Sequence, residues 1–168
     1  MKPNTQTLRP ARSGRRIAGR AQQDHILDPY QAQKKPQEPT ACPQCNAVYH
    51  NGRWQWGQKP ADSHAELCPA CRRVNDDLPA GIVTLHGAWA RQHRDELIGL
   101  ARNEEAAEKP EHPLNRIAKI EEMDDGLVIS TTDIHLPRRI GEAVRHAFHR
   151  HLDLHFDEGG YFLRADLR

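Results

Sequence analysis

The spacing of hydrophobic positions changes its period along this chain, and each change marks an element. Residues 1–40 show no apolar face. Pro3, Pro10, Pro29, Pro36 and Pro39 break any helix there, and Gly14 and Gly19 add backbone freedom. This stretch reads as an extended arm, with Asp28-Pro29-Tyr30 as a turn bearing one aromatic anchor. Between Ala47 and Trp56, two strand-like runs flank Asn51-Gly52, a pair that tolerates the positive φ of a type I′ hairpin turn. Residues 79–86 read as a short strand. A helix follows from about Gly87 to Lys109, with Trp89, His93, Leu97, Leu100 and Ala101 on one stripe, and Pro110 and Pro113 close it.

The last 53 residues predict a second unit. Arg116–Glu122 and Leu127–Thr131 are strands joined by Asp124-Asp125-Gly126. Thr132 or Asp133 can cap a helix from about Pro137 to His151, whose stripe is Ile140, Val144, Phe148 and Leu152. Strands at Asp153–Phe156 and Tyr161–Leu167 complete a ββαββ pattern, a small sheet with one helix across it.

All four cysteines fall in two CPxC pairs, Cys42-Pro43-Gln44-Cys45 and Cys68-Pro69-Ala70-Cys71. Each pair puts two sulfurs on one tight turn, and the hairpin between them can bring the turns together. Four soft ligands at this spacing suit Zn²⁺. The expected module, residues 41–78, is a zinc ribbon: knuckle, hairpin, knuckle. Four thiolates on Zn²⁺ leave a local charge of minus two, which Arg72 and Arg73 would offset. A redox dithiol, a rubredoxin-type iron site and two disulfides compete with this reading. A thioredoxin-type motif would stand once at the start of a helix, and neither pair is expected there.

Composition adds two points. Apolar content is 37% and mean hydropathy is −0.84, polar for a single compact core, so part of the chain is expected to be disordered or spread over a partner. The net charge of +1 hides an asymmetry, because residues 1–20 hold Lys2, Arg9, Arg12, Arg15, Arg16 and Arg20 and no acid. A basic arm before a near-neutral body suits nucleic acid phosphates; a solvated tail or targeting peptide would share the composition. Paired reduced thiols, with no secretory or membrane-spanning run, fit a cytoplasmic protein.

Trp54 and Trp56 share one face of their strand beside Tyr49 and Arg53. Exposed, they would stack on unpaired bases; buried, at least one would form the module's own core. His146, His149 and His151, with His155 just beyond, accompany Arg138, Arg139, Arg145 and Arg150 on or near the last helix: a basic binding face, an ordinary solvated one, or a second metal site. The chain carries no phosphate loop, GxSxG or HExxH, and no enzyme is expected.

The run from Glu38 to Tyr49, then Gly52-Arg53-Trp54, then Leu67 to Arg73 resembles a bacterial family of uncharacterised zinc-ribbon proteins. Pro79–Val83, Asn103-Glu104-Glu105, His112-Pro113-Leu114 and Thr131–Leu136 look like the same family. More distantly, the paired module is similar to the N-terminal zinc region of the adaptor that exports the large ribosomal subunit in eukaryotes, and of its archaeal relatives. The resemblance implies a cytoplasmic, non-enzymatic factor touching the ribosome or its RNA.

The expectation is therefore an α+β protein with a disordered basic arm (1–40), a four-cysteine zinc ribbon (41–78), a strand and connecting helix (79–115) and a ββαββ unit (116–168). Its partner would be the ribosome or ribosomal RNA, with a ribosomal protein as a further contact, and neither a membrane nor a small-molecule substrate. Arg9, Arg12, Arg15, Arg16, Arg20, Arg53, Trp54, Arg72, Arg73, Arg138 and Arg145 are the candidate nucleic-acid contacts. A DNA-binding or polymerase-associated regulator and a thiol or zinc redox sensor remain the alternatives.

Overall fold

A computed structural model describes residues 28–31, 34–157 and 160–168. Two sheets and four helices make up the described chain, a mixed α+β arrangement. The arm's arginines at 9, 12, 15, 16 and 20 lie outside the described residues.

The first unit is held by very short strands. β1 (Thr40–Ala41), β2 (Val48–His50), β3 (Arg53–Gln55) and β4 (His64–Ala65) form a sheet in the order β3-β2-β1-β4. The hairpin expected at Asn51-Gly52 is present, with His50 facing Arg53 and positive φ at Asn51 (52°) and Gly52 (76°). Glu38 accepts both turn amides at 2.8 Å, so the tight turn leaves neither donor unpaired. Helix α1 (Pro69–Asp76) follows; proline occupies its first turn, where a missing N–H costs least, and Asp77 ends it in the left-handed conformation.

This arrangement corrects the ribbon layout. The second cysteine pair does not sit on a second knuckle. Cys68 is the N-cap of α1, and its Sγ accepts the Cys71 amide at 3.4 Å. The reason is local: Cys68-Pro69 fixes an extended cap residue before a helix-compatible φ, and the residues after Cys71 propagate the helix.

The second unit is larger than the expected ββαββ. β5 (Gly81–His86), β6 (Ile117–Met123), β7 (Gly126–Thr131), β8 (Leu152–Phe156) and β9 (Leu163–Leu167) form one sheet, ordered β6-β7-β5-β9-β8. The strand expected to belong to a connector is thus the central one. β5 pairs antiparallel with β7 and parallel with β9. Its alternation buries Gly81, Val83 and Leu85 on the face that meets the helices.

The expected single helix over 87–109 is two. α2 (Ala88–Gln92) lies on β5 and β7, and α3 (Arg94–Glu108) packs beside α4 (His135–Phe148). The break falls at His93, whose φ of −102° and ψ of 20° redirect the chain and whose ring meets Phe148 edge-on at 5.1 Å. Leu97, Ala101, Leu136, Ile140 and Val144 fill the core under these helices. Leu152, expected on the last helical turn, belongs to β8, because His149 adopts a left-handed conformation and ends α4.

Gly126 shows how closely the sheet is drawn together. Its φ is +135°, and a Cβ there would stand 1.8 Å from the Leu85 carbonyl oxygen. Gly126→Ala should therefore destabilise the protein by about 2–4 kcal/mol, as strain in a buried turn typically does. Urea unfolding of metal-saturated protein checks this, against Gly57→Ala, where a Cβ meets nothing within 4 Å.

Candidate metal centre and adjoining cleft

The knuckle before β2 and the first turn of α1 converge their sulfurs. The Sγ atoms of Cys42, Cys45, Cys68 and Cys71 all lie within 4.8 Å of one another. Four sulfurs bound tetrahedrally at about 2.3 Å from one ion stand about 3.8 Å apart. Cys45 and Cys68 sulfurs are 3.6 Å apart, far beyond a disulfide bond, and all four cysteines are free. The donor set fits a metal ion. Leu67, Trp54 and Leu114 pack around it, so the cysteines are also the centre of this module's small core.

Burial governs the thiols. It pushes Cys68 well above the ordinary thiol range and Cys71 up to about 11. At Cys42 burial acts in the same sense, but backbone amides of Cys68, Cys45 and Gln44 outweigh it and bring the thiol down to about 7. A bare cluster thus keeps protons at neutral pH, and a bound cation must displace them.

The cation beside the sulfurs is neither Arg72 nor Arg73. Arg116, at the entry to β6, directs one guanidinium nitrogen, Nη2, to Cys68 Sγ at 3.1 Å, Cys71 Sγ at 3.6 Å and Cys45 Sγ at 3.7 Å. Arg73 is instead 4% exposed and ion-paired with Asp28 at 2.5 Å, while its guanidinium lies 4.3 Å over the Tyr30 ring. It is therefore withdrawn from any phosphate, a correction to the sequence reading. Arg72 is half-exposed and paired with Glu66.

A cleft of about 930 Å³ opens between the metal module and the five-stranded unit. Four candidate nucleic-acid contacts share it: Arg53, Trp54, Arg72 and Arg138. Lys34 and Lys35, which the sequence reading passed over, line it too. Among the described residues, Lys34, Lys35, Arg53 and Arg138 have no carboxylate partner, whereas Arg139 is tied to Glu104 and Glu108. Trp54 is half-buried and meets Tyr49 edge-on at 5.5 Å. Trp56 turns to the other unit, its Nε1 donating to the Lys109 carbonyl at 2.6 Å. Arg145 falls outside the cleft; it pairs with Glu142 and lines a separate depression with His146, His149 and His151. Among the described residues, the four cysteines form the one group spaced to hold a metal, and these histidines do not.

Asp133 is a further residue of this cleft. Its Oδ2 accepts the His135 and Leu136 amides at 2.6 and 3.1 Å and so caps α4, as the sequence suggested. Its Oδ1 is buried and has no partner among the described residues. Burial raises the carboxyl to about 6, against the effect of those two amides. No helix of the described chain is long and apolar enough to cross a membrane. No family model, curated protein or solved structure matches the chain.

Three outcomes check the metal centre and the cleft beside it. Metal binding at pH 7 should release the protons of Cys68 and Cys71, so apparent affinity should weaken as pH falls; titration calorimetry in buffers of different ionisation enthalpy reads the proton count. Cys45→Ser should lose tight binding and unfold the module. The raised Asp133 pKa gives stability that is present below about pH 4 and lost as pH rises through 6. Relative to wild type, Asp133→Asn should therefore gain about 3 kcal/mol between pH 4 and pH 8, measured by urea unfolding at each pH.

Proposed function

We propose that the four cysteines hold a structural Zn²⁺ and that the protein is a cytoplasmic RNA-binding factor of the ribosome, taking unpaired ribosomal RNA in the cleft. The observation that carries this reading is the convergence of Arg53, Trp54, Arg72 and Arg138, with Lys34 and Lys35, on one concave surface. Those residues come from four separate stretches of sequence. Of the carboxylates that also line the cleft, Asp28, Glu66 and Glu108 are already paired with arginines, which leaves Arg53, Arg138, Lys34 and Lys35, without an acidic partner among the described residues, to meet an anion.

In this reading Zn²⁺ supplies no chemistry. It closes a module whose strands are two or three residues long and holds Arg53 and Trp54 at fixed positions. Arg53 on the hairpin and Arg138 on α4 neutralise phosphates from opposite walls. The Trp54 ring offers a partial stacking surface, a contact worth about 1–3 kcal/mol per base. The basic arm adds further phosphate contacts along the strand.

Sucrose-gradient sedimentation of lysate, at low and high salt and with RNase controls, tests the ribosomal assignment. Salt-sensitive migration with ribosomal particles is expected. Protein confined to the top fractions during growth and starvation would turn the reading toward DNA regulation or thiol sensing. With purified protein and single-stranded RNA, Arg53→Glu/Arg138→Glu should flatten the dependence of log K on log salt by about 1.4, two phosphate contacts' worth. Deletion of residues 1–20 should flatten it further.

A further inference from the structure

Among the described residues, few side chains join the two units. Substantial packing between strands and helices lies within each unit. Across the junction, Trp56 reaches the Lys109 carbonyl at an exposed position, and Arg73 stands 5.7 Å from the Tyr161 ring. Leu114 packs on the cysteine cluster, and two residues later Arg116 points its guanidinium into the sulfurs. Of these contacts, the Arg116 one alone joins a charged group to the metal centre.

Its chemistry is conditional. Arg116 Nε is buried and has no partner among the described residues, so the side chain depends on the sulfurs for the compensation of its charge. Four thiolates on a divalent ion carry minus two, and the guanidinium then has a counter-charge within 3.1–3.7 Å. The backbone of the same residue is tied to the wall of the cleft. Its N–H donates to Thr132 Oγ1 at 3.0 Å, and its carbonyl accepts the Thr132 amide at 2.9 Å. Thr132 Oγ1 also donates to the Leu114 carbonyl at 2.6 Å, and Asp133, the cap of α4, comes next.

We propose that Arg116 is a metal-dependent latch: its guanidinium neutralises the four-thiolate centre and thereby holds the five-stranded unit against the metal module, so that metal occupancy decides whether the cleft is formed. This rests on the cysteine site holding a metal ion, and it is independent of what the cleft binds. When the metal leaves, the guanidinium loses its counter-charge and moves to water. The 114–116 segment lifts from the cysteines, and the five-stranded unit keeps its own sheet.

The test uses the full chain and three samples: zinc-loaded wild type, zinc-loaded Arg116→Met, and wild type stripped with a chelator. Zinc content and Co²⁺–thiolate absorption establish occupancy separately. Amide hydrogen exchange reads the latch, and competition with a chromophoric chelator reads affinity. Arg116→Met should bind zinc about 10- to 100-fold more weakly, the usual effect of removing an outer partner of a metal ligand. At saturating zinc, its amides at positions 116 and 132 should exchange faster than in wild type, while those of Val83 and Ile129 stay protected. Stripped wild type should show the same local acceleration, and Arg116→Lys should restore part of the affinity. Zinc-loaded Arg116→Met with wild-type affinity and wild-type exchange at 116 and 132 would overturn the latch. Should that variant fail to fold, stripped wild type decides alone: unchanged protection at Thr132 overturns the proposal. No RNA enters these readouts, so a failure of the ribosomal assignment leaves them untouched. A wild-type chain that takes up neither zinc nor Co²⁺ overturns the metal site, and the latch with it.

Discussion

The structure depends on the packing of four sulfurs into a space a few ångströms across. The strands around them are too short to hold themselves: β1 and β4 have two residues each, and both residues of β4 are exposed. The cysteine cluster with Leu67, Trp54 and Leu114 is the module's core in place of a hydrophobic one. Burying thiols that resist ionisation makes the site unfavourable for a bare thiolate cluster and favourable once a cation compensates the charge. Folding of the module and occupancy of the site are thus one equilibrium.

The same economy of apolar contact shapes how charge is handled elsewhere. Arg73 and Asp28 are both nearly buried, and Arg73 is further enclosed by Tyr30 and donates to the Leu78 carbonyl at 3.0 Å. The pair anchors the segment at residues 28–31 to α1, and Tyr30 adds a hydrogen bond to Asp76 at 2.9 Å. Tyr30, read from sequence as an anchor, has that place in the fold. Arg73, which its place after Cys71 marks as a phosphate contact, is held instead by Asp28 and Tyr30.

What was legible in the sequence was what local chemistry sets. The Asn51-Gly52 turn, the cap at Asp133 and the grouping of the four cysteines follow from residue types a few positions apart. The helix break at His93 was not legible, because the stripe of Trp89, Leu97 and Ala101 continues through it and the cause lies in Phe148. The central position of β5 was hidden as well, since its partners are distant in sequence and a half-buried alternation looks alike at an edge or in the middle. Arg116 gave no signal at all: its neighbours Asn115 and Ile117 say nothing about sulfurs from residues 45 to 71. For Arg72 and Arg73 the adjacency to Cys71 misled, because consecutive helical residues face different directions.

The placement of β9 has a consequence for the order in which the molecule assembles. β9 lies between β5 and β8, and Gly81 pairs with Leu163 across nearly half the chain. The cysteine module closes over a short loop and can form early, at small entropic cost. The sheet must wait for its interior strand from the C-terminal stretch, a long-range closure of the slow kind. During synthesis the module would stand finished while β5 and β7 still lack their neighbour. A truncation or bulky fusion that disturbs Leu163–Leu167 would remove a middle stave rather than trim an edge.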